Sequence, residues 1–274
     1  MNQTILWDCH THTSFSADSD TPMEEMVLQA IRCGLSGICF TEHLDPDYPL
    51  TPDNLDFSHL DTENYRKEFQ HLKEKYKGQI SLDFGIETGL QPHLEEFYRN
   101  YLRENVFDFI IGSSHIVHGY DPYYPDFFKG RRENECYMEY FESILENLAV
   151  FDQMNVYGHI DYIVRYGPNK NSCYSYGRYQ DILDEILRIL VQKGIGIELN
   201  TGGFQYGLGE PNPCTDIIRR YRQMGGEIIT IGSDAHTTDK IAFAFDKAAA
   251  ILQTCGFSYY TVFHGRKPEF IPLS

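Results

Sequence analysis

Ile5-Leu6-Trp7-Asp8-Cys9-His10-Thr11-His12 is a short apolar run that ends in two histidines one residue apart. On an extended strand, residues i and i+2 face the same way, so both imidazoles can reach one ion. The pattern of an apolar run ending in polar chemistry recurs six more times. Gly37 to Phe40 runs into Thr41-Glu42-His43. Ile80 to Ile86 runs into Glu87, and Phe107 to Ile111 into Gly112-Ser113-Ser114-His115. Asn155 to Tyr157 meets Gly158-His159. Gly196 to Leu199 ends at Asn200, and Glu227 to Ile231 ends in Gly232-Ser233-Asp234-Ala235-His236. Six of the eleven histidines therefore sit just past strand ends.

Helical runs separate these strands: Pro22 to Cys33, Asp61 to Tyr76, Leu94 to Leu102, Glu133 to Phe151, Tyr179 to Gln192, Cys214 to Met224 and Lys240 to Thr254. Thr21-Pro22 reads as an N-cap followed by proline at the first helical position. Gly34, Gly78, Gly194 and Gly225 each follow a helical run, where a helix-stopping glycine belongs. Seven strand–helix alternations predict an α/β fold with a parallel sheet, either open and doubly wound or closed into a barrel. No G-x-G-x-x-G follows the first strand, which argues against dinucleotide binding. The longest irregular stretches (44–60, 116–132, 160–177 and 200–213) all follow strands, so they share the face where barrel enzymes build their sites. No linker divides the chain, and residues 1–274 are expected to form one domain.

Composition narrows the function. The formal charge is −17, from 23 basic and 40 acidic residues. That disfavours a nucleic-acid partner, since phosphate backbones reward Lys and Arg. No apolar run approaches the roughly 20 residues a membrane helix needs. The N-terminal stretch shows no secretory pattern, and the seven scattered cysteines include no C-x-x-C pair, so a reduced cytoplasm is the expected compartment. A soluble enzyme with a small substrate or bound metal fits these properties.

Imidazoles and carboxylates converging at strand ends suit zinc, iron or manganese. His59, His71, His93 and His264 lie in loops, helices or the tail, and are assigned no site role. His118 lies three residues past His115 in an aromatic loop and stays outside the ligand set. Serine catalysis is the competing chemistry, because Ser113, Ser114 and Ser233 lie near histidines. No G-x-S-x-G elbow is present, and six histidines exceed what a triad needs.

Four blocks together resemble the polymerase-and-histidinol-phosphatase (PHP) family. They are Asp8 to His12 with Asp18, Thr41-Glu42-His43, Glu87 with Gly112 to His115, and His159 with Gly232 to His236. Within the family, Phe15 to Ser19, Gly158 to Tyr162 and Ile231 to His236 are most similar to the monofunctional histidinol-phosphate phosphatases. The resemblance implies a distorted (β/α)7 barrel and two or three divalent ions (Zn, Mn or Fe). It implies a first ion held by His10, His12, Glu87 and Asp234, with Glu87 bridging to a second that adds His115 and His159. A third would be held by Asp18, His43 and His236. Asp18 stands where many family members have His; its harder oxygen shifts preference toward manganese or iron.

The expected reaction is in-line attack of hydroxide, generated at the ions, on a phosphomonoester. Asp234 is placed to orient or deprotonate the water, and Asp18 is one possible proton donor to the departing alcohol. Arg165, six residues past His159, is expected to hold the phosphate as a bidentate fork, with a surface arginine as the alternative. The expected substrate is L-histidinol phosphate, a histidine-biosynthesis intermediate. Glu42 beside His43, together with Asp45, Asp47 and Asp161, offers acceptors for its cationic end. Other phosphoesterases of this fold (nucleotide phosphatase, phosphodiesterase, protein-tyrosine phosphatase) and a non-catalytic module are the competing readings.

Overall fold

The computed structural model describes residues 5–49, 52–53 and 55–273. Seven parallel strands follow one another round a sheet in chain order: β1 (Trp7–Thr11), β2 (Gly37–Leu44), β3 (Ser81–Gly89), β4 (Phe109–Ser113), β5 (Val156–Tyr157), β6 (Gly196–Asn200) and β7 (Ile229–Gly232). The sheet curls until its two edges meet. His12 N–H donates to the Ala235 carbonyl and Asp234 N–H to the His10 carbonyl, each at 2.9 Å. The result is a nearly closed (β/α)7 barrel.

The intervening helices are α1 (Met23–Arg32), α2 (Thr62–Lys75), α3 (Glu95–Glu104), α4 (Glu133–Val150), α5 (Gln180–Lys193), the one-turn α6 (Gly202–Gln205), α7 (Thr215–Gln223) and α8 (Phe245–Thr254). Helices cover the strands from outside, so strand residues such as Ile38, Phe40, Ile110, Ile111, Ile197, Ile229 and Ile231 are all but fully buried.

Several local expectations hold and others shift. Gly34, Gly78, Gly194 and Gly225 all take positive φ, as helix-stopping glycines do. Thr21 does not cap α1. Pro22 occupies the N-cap position without a side-chain bond, and Thr21 Oγ1 donates to the His236 carbonyl at 3.0 Å. The last helix begins at Phe245 rather than Lys240, because Ala242 and Ala244 both lie at positive φ and interrupt it. β2 and β3 run further than their apolar stretches suggest, pairing without interruption from Gly37–Ser81 to Leu44–Thr88. His43 and Glu87 are therefore strand residues, and register sets them side by side.

The helical and strand patterns of the sequence assign no element after residue 254. The chain there forms an antiparallel hairpin, β8 (Tyr259–His264) and β9 (Lys267–Pro272). It docks at the N-terminal ends of the barrel strands, opposite the histidine-bearing end. Tyr260 accepts from Leu6 N–H at 3.1 Å, Thr261 from Ile229 N–H at 3.2 Å, and His264 Nδ1 meets Asp83 Oδ1 at 2.8 Å. Among the described residues, no helix is long and apolar enough to cross a membrane.

Candidate active site

The C-terminal strand ends bring all nine expected ligands to one place. His10 Nε2 and His12 Nε2 stand 3.0 Å apart. Glu87 Oε2 is 3.1 Å from the first and 3.6 Å from the second, and Asp234 Oδ1 is 3.6 and 3.5 Å from them. Glu87 turns its other oxygen, Oε1, to His115 Nε2 at 3.2 Å and His159 Nε2 at 3.0 Å. It thus faces two neighbouring sets of ligands at once. Asp18 Oδ2 lies 3.0 Å from His236 Nε2 and 3.7 Å from His43 Nε2. The same atoms also group as His12–His43–His236 and His43–Glu87–His115, so adjacent sites share a wall of ligands.

This arrangement fits metal ions better than hydrogen bonding. Two imidazole nitrogens facing each other at 3.0 Å, with two carboxylate oxygens close by, converge on a common point. His159 Nδ1 is buried without a partner among the described residues. His43 Nδ1 lies 3.1 Å from Glu87 Oε2 in a geometry that makes no hydrogen bond. The carboxylates of the cluster are ionised. Burial opposes ionisation of Glu87 and Asp234, but the surrounding histidines outweigh it and hold both carboxyls well below their usual range. Burial, with His43 and His236 nearby, keeps the His12 ring neutral. A mixed nitrogen and oxygen donor set suits zinc, manganese or iron.

Outer contacts aim these ligands. Glu198 Oε1 holds His10 Nδ1 at 2.6 Å, and Glu198 Oε2 accepts from His159 N–H at 3.1 Å. Asp45 Oδ1 holds His115 Nδ1 at 2.8 Å, and Ser113 donates to Glu87 Oε1 at 2.6 Å. Carboxylates behind ligating imidazoles fix ring orientation and raise basicity. Asp234 itself takes a positive φ of 58°. Asp8 braces that turn by accepting from Ser233 N–H at 2.9 Å, Ser233 Oγ at 2.6 Å and Ala242 N–H at 3.0 Å. The serines are therefore structural: Ser233 serves Asp8, Ser113 serves Glu87, and Ser114 pairs with the Tyr157 hydroxyl.

Above the cluster opens a cavity of about 380 Å³, lined by His43, Asp45, Tyr48, Phe57, His115, Asp121, Tyr123, Tyr124, His159, Tyr162, Arg165, Tyr166, Tyr206, Asp234 and His236 among others. Arg165 is 4% exposed, which removes the surface reading. Its guanidinium donates to Asp234 Oδ2 (2.9 Å), Asn200 Oδ1 (2.8 Å) and Asn212 Oδ1 (2.8 Å), and lies over the rings of Tyr162 and Tyr206. Three of its five N–H groups thus fix its plane at the cavity wall.

The acidic residues separate. Glu42 does not line the cavity. It is fully buried, and its carboxylate accepts from Thr13 N–H (3.0 Å), Thr13 Oγ1 (2.6 Å) and Ser16 Oγ (2.6 Å), tying the loop after β1 to β2. Asp161 is likewise enclosed by Asn212, Tyr174 and Cys214 N–H, and Asp47 sits on the surface with His93. Only Asp45 of that group reaches the cavity. Asp18 is ill suited as a proton donor, because His236 and His43 overcome burial and hold its carboxyl strongly ionised. His118 lies outside the site, between Glu139 and Glu146 on the surface. Residues missed in the sequence were Glu198, Asn200, Asn212, Asp121, Tyr162 and Tyr166. The two-residue alternation of Glu198 and Asn200 could have flagged that pair, since both project to one side of β6.

A nearly closed parallel barrel with a buried, multidentate histidine–carboxylate centre at its C-terminal end defines a metal-dependent barrel hydrolase. Residues 8–202 match the PHP domain, and the chain belongs to that family. It is 32% identical over 261 residues to a histidinol-phosphatase of Lactococcus lactis, covering 95% of each chain. It is also 32% identical to a probable histidinol-phosphatase of Clostridium acetobutylicum, covering 92% of this chain and 94% of that one. The crystal structure of histidinol phosphate phosphatase from Lactococcus lactis, complexed with zinc, L-histidinol and phosphate, superposes with a TM-score of 0.89. It shares 31% identity, with 96% of this chain and 98% of that one covered.

Proposed function

We propose that this chain hydrolyses L-histidinol phosphate to L-histidinol and phosphate, the phosphatase step of histidine biosynthesis. The observation that carries the reading is Arg165 fixed at the rim of the nine-ligand cluster, facing the cavity. Metal ions would be held by His10, His12, Asp18, His43, Glu87, His115, His159, Asp234 and His236, and when bound would supply hydroxide at neutral pH and charge stabilisation for a phosphoryl group. Everything else falls to the chain. The remaining N–H groups of Arg165 bind phosphate oxygens, with a fork whose plane Asn200, Asn212 and Asp234 set in advance. Asp234, kept ionised, orients the attacking water through its carboxylate. Tyr162, Tyr166 and Tyr206 narrow the mouth and exclude bulk water, which strengthens each electrostatic contact inside.

The substrate is a small molecule. A charge of −17 disfavours a nucleic-acid partner, and seven unpaired cysteines suit the cytoplasm. The domain is taken as the whole chain, because one continuous apolar cluster runs from Ile5 to Phe263. Steady-state kinetics on metal-loaded protein test the assignment with L-histidinol phosphate, AMP and p-nitrophenyl phosphate. Efficiency on histidinol phosphate should exceed the other two by at least about a hundredfold, the scale expected when a wrong ligand leaves buried polar groups unpaired. Equal rates on all three would mean a generic phosphoesterase.

A further inference from the structure

The cavity has a second charged corner. Asp45 and Asp121 both line it and are only 2% and 7% exposed. Asp45 spends Oδ1 on His115, while its Oδ2 is buried with no hydrogen-bond partner among the described residues. Asp121 is braced, with the Tyr48 hydroxyl donating to Oδ2 at 2.6 Å and Tyr123 N–H to Oδ1 at 2.7 Å. A carboxylate offers about four acceptor positions, so this bracing leaves Asp121 room for a further donor. The cavity's own cations are engaged elsewhere: Arg165 pairs with Asp234, and Lys240 with Asp239 at 3.2 Å. Two buried carboxylates line one cavity, with the His115 ring paired to only one of them, and this favours a positive ligand. Burial pushes the Asp121 carboxyl upward, and an arriving cation would restore its ionised form.

A line of rings joins this corner to Arg165. Tyr123 packs on Tyr166 at 5.2 Å, Tyr166 on Tyr206 at 5.4 Å, and the Arg165 guanidinium lies 5.0 Å over Tyr206. An elongated ligand can thus place its phosphate at Arg165, its organic body along the tyrosines and a cationic group in the acidic corner. We propose that the Asp45–Asp121 corner is an ammonium subsite, with Asp121 the specificity-determining residue, selecting primary-amine phosphomonoesters over uncharged ones. The inference rests on the phosphatase reading above and names which end of the substrate that site grips.

Asp121→Asn is the milder variant, since its single amide oxygen keeps one of the two bonds from Tyr48 and Tyr123, whereas changing Asp45 would disturb His115. On metal-loaded enzyme, kcat/KM for L-histidinol phosphate should fall about ten- to hundredfold, the loss of one charge-assisted bond, while p-nitrophenyl phosphate is hydrolysed about as before. Equal losses on both substrates, or none on the amine, overturn the proposal. Calorimetry separates it from the catalytic reading. Zinc-loaded wild type should bind L-histidinol at least about tenfold tighter than the same imidazole alcohol lacking its amine, a preference Asp121→Asn abolishes. No preference in wild type ends the proposal, whatever the enzyme hydrolyses. A preference lost in the variant, in a protein that hydrolyses no phosphomonoester, leaves the subsite standing and removes the phosphatase reading. If Asp121→Asn does not fold, Tyr48→Phe must weaken the same preference by loosening the brace, and an unchanged ratio overturns the subsite.

Discussion

Arg165 shows how much chemistry one buried side chain can carry. Its guanidinium reaches Asp234, Asn200 and Asn212 through three separate nitrogens. Lysine offers a single point charge on a flexible stem and cannot bridge all three. Space around it is already spent: a Cβ on Gly202 would stand 3.0 Å from Arg165 Nη2 and 2.8 Å from Asn200 Oδ1. Arg165→Lys should therefore lower kcat/KM by about ten- to hundredfold, the worth of roughly 1.5–3 kcal/mol for a lost charge-assisted bond. Wild-type kinetics in that variant would take the residue off the phosphate. Glu42 illustrates the opposite case. Next to His43 in sequence, it points to the other side of β2, because successive strand residues alternate faces. Its acidity serves Thr13 and Ser16, and with them the loop that carries Asp18.

At the scale of elements, register builds the centre. The ladder that pairs His43 with Glu87, and continues from Gly89 to Ser113, gathers three strands' chemistry into adjacent rungs. The C-terminal hairpin works at the other end of the barrel. His264 on β8 bonds Asp83 of β3, with Trp7 edge-on to its ring and Glu269 at 3.6 Å. The bond to Asp83 raises the His264 pKa against the effect of partial burial, with Glu269 and Asp108 adding to it. A raised folded pKa means stabilisation that is complete below the unfolded value, near 6.5, and lost as pH climbs through the folded one. His264→Gln should consequently lower Tm more at pH 6 than at pH 9. A Tm deficit independent of pH would show that the imidazole holds the hairpin without its charge.

For the whole molecule, the metal centre doubles as the seal of the barrel. β1 and β7 meet through only a few backbone bonds, and the ligands His10, His12 and Asp234 sit on both sides of that seam. Ions bound to the folded state alone stabilise it by mass action, about 2.7 kcal/mol for one site at a hundredfold excess over Kd. At roughly 2 °C per kcal/mol for a chain of this size, chelation should lower Tm by about 5 °C or more, reversibly on adding zinc or manganese. Elemental analysis of the purified protein should find at least two such ions per chain. An unchanged Tm in chelator with activity intact would dismiss the centre.

The amino-acid sequence alone determined the seven-fold alternation and the histidines at the strand ends, because each of these is local; closure of the sheet and the nine-residue set followed only from the family resemblance. A two-residue period writes His10 and His12 onto one face, and apolar runs mark strands whose ends hold the histidines. The C-terminal hairpin was not legible. Tyr259-Tyr260-Thr261-Val262-Phe263 of β8 does carry an aromatic and β-branched strand signal, but its partner β9 is largely exposed and has proline at its second and last positions, so the pairing left no pattern to read. Tertiary structure alone decided which acids face the cavity. Asp121 and Asp45 enter it from separate loops, while Asp161 and Glu42, no less acidic, are turned into structural bonds. Direction in space depends on how loops close over the strand ends, and a residue's type and spacing do not encode that closure.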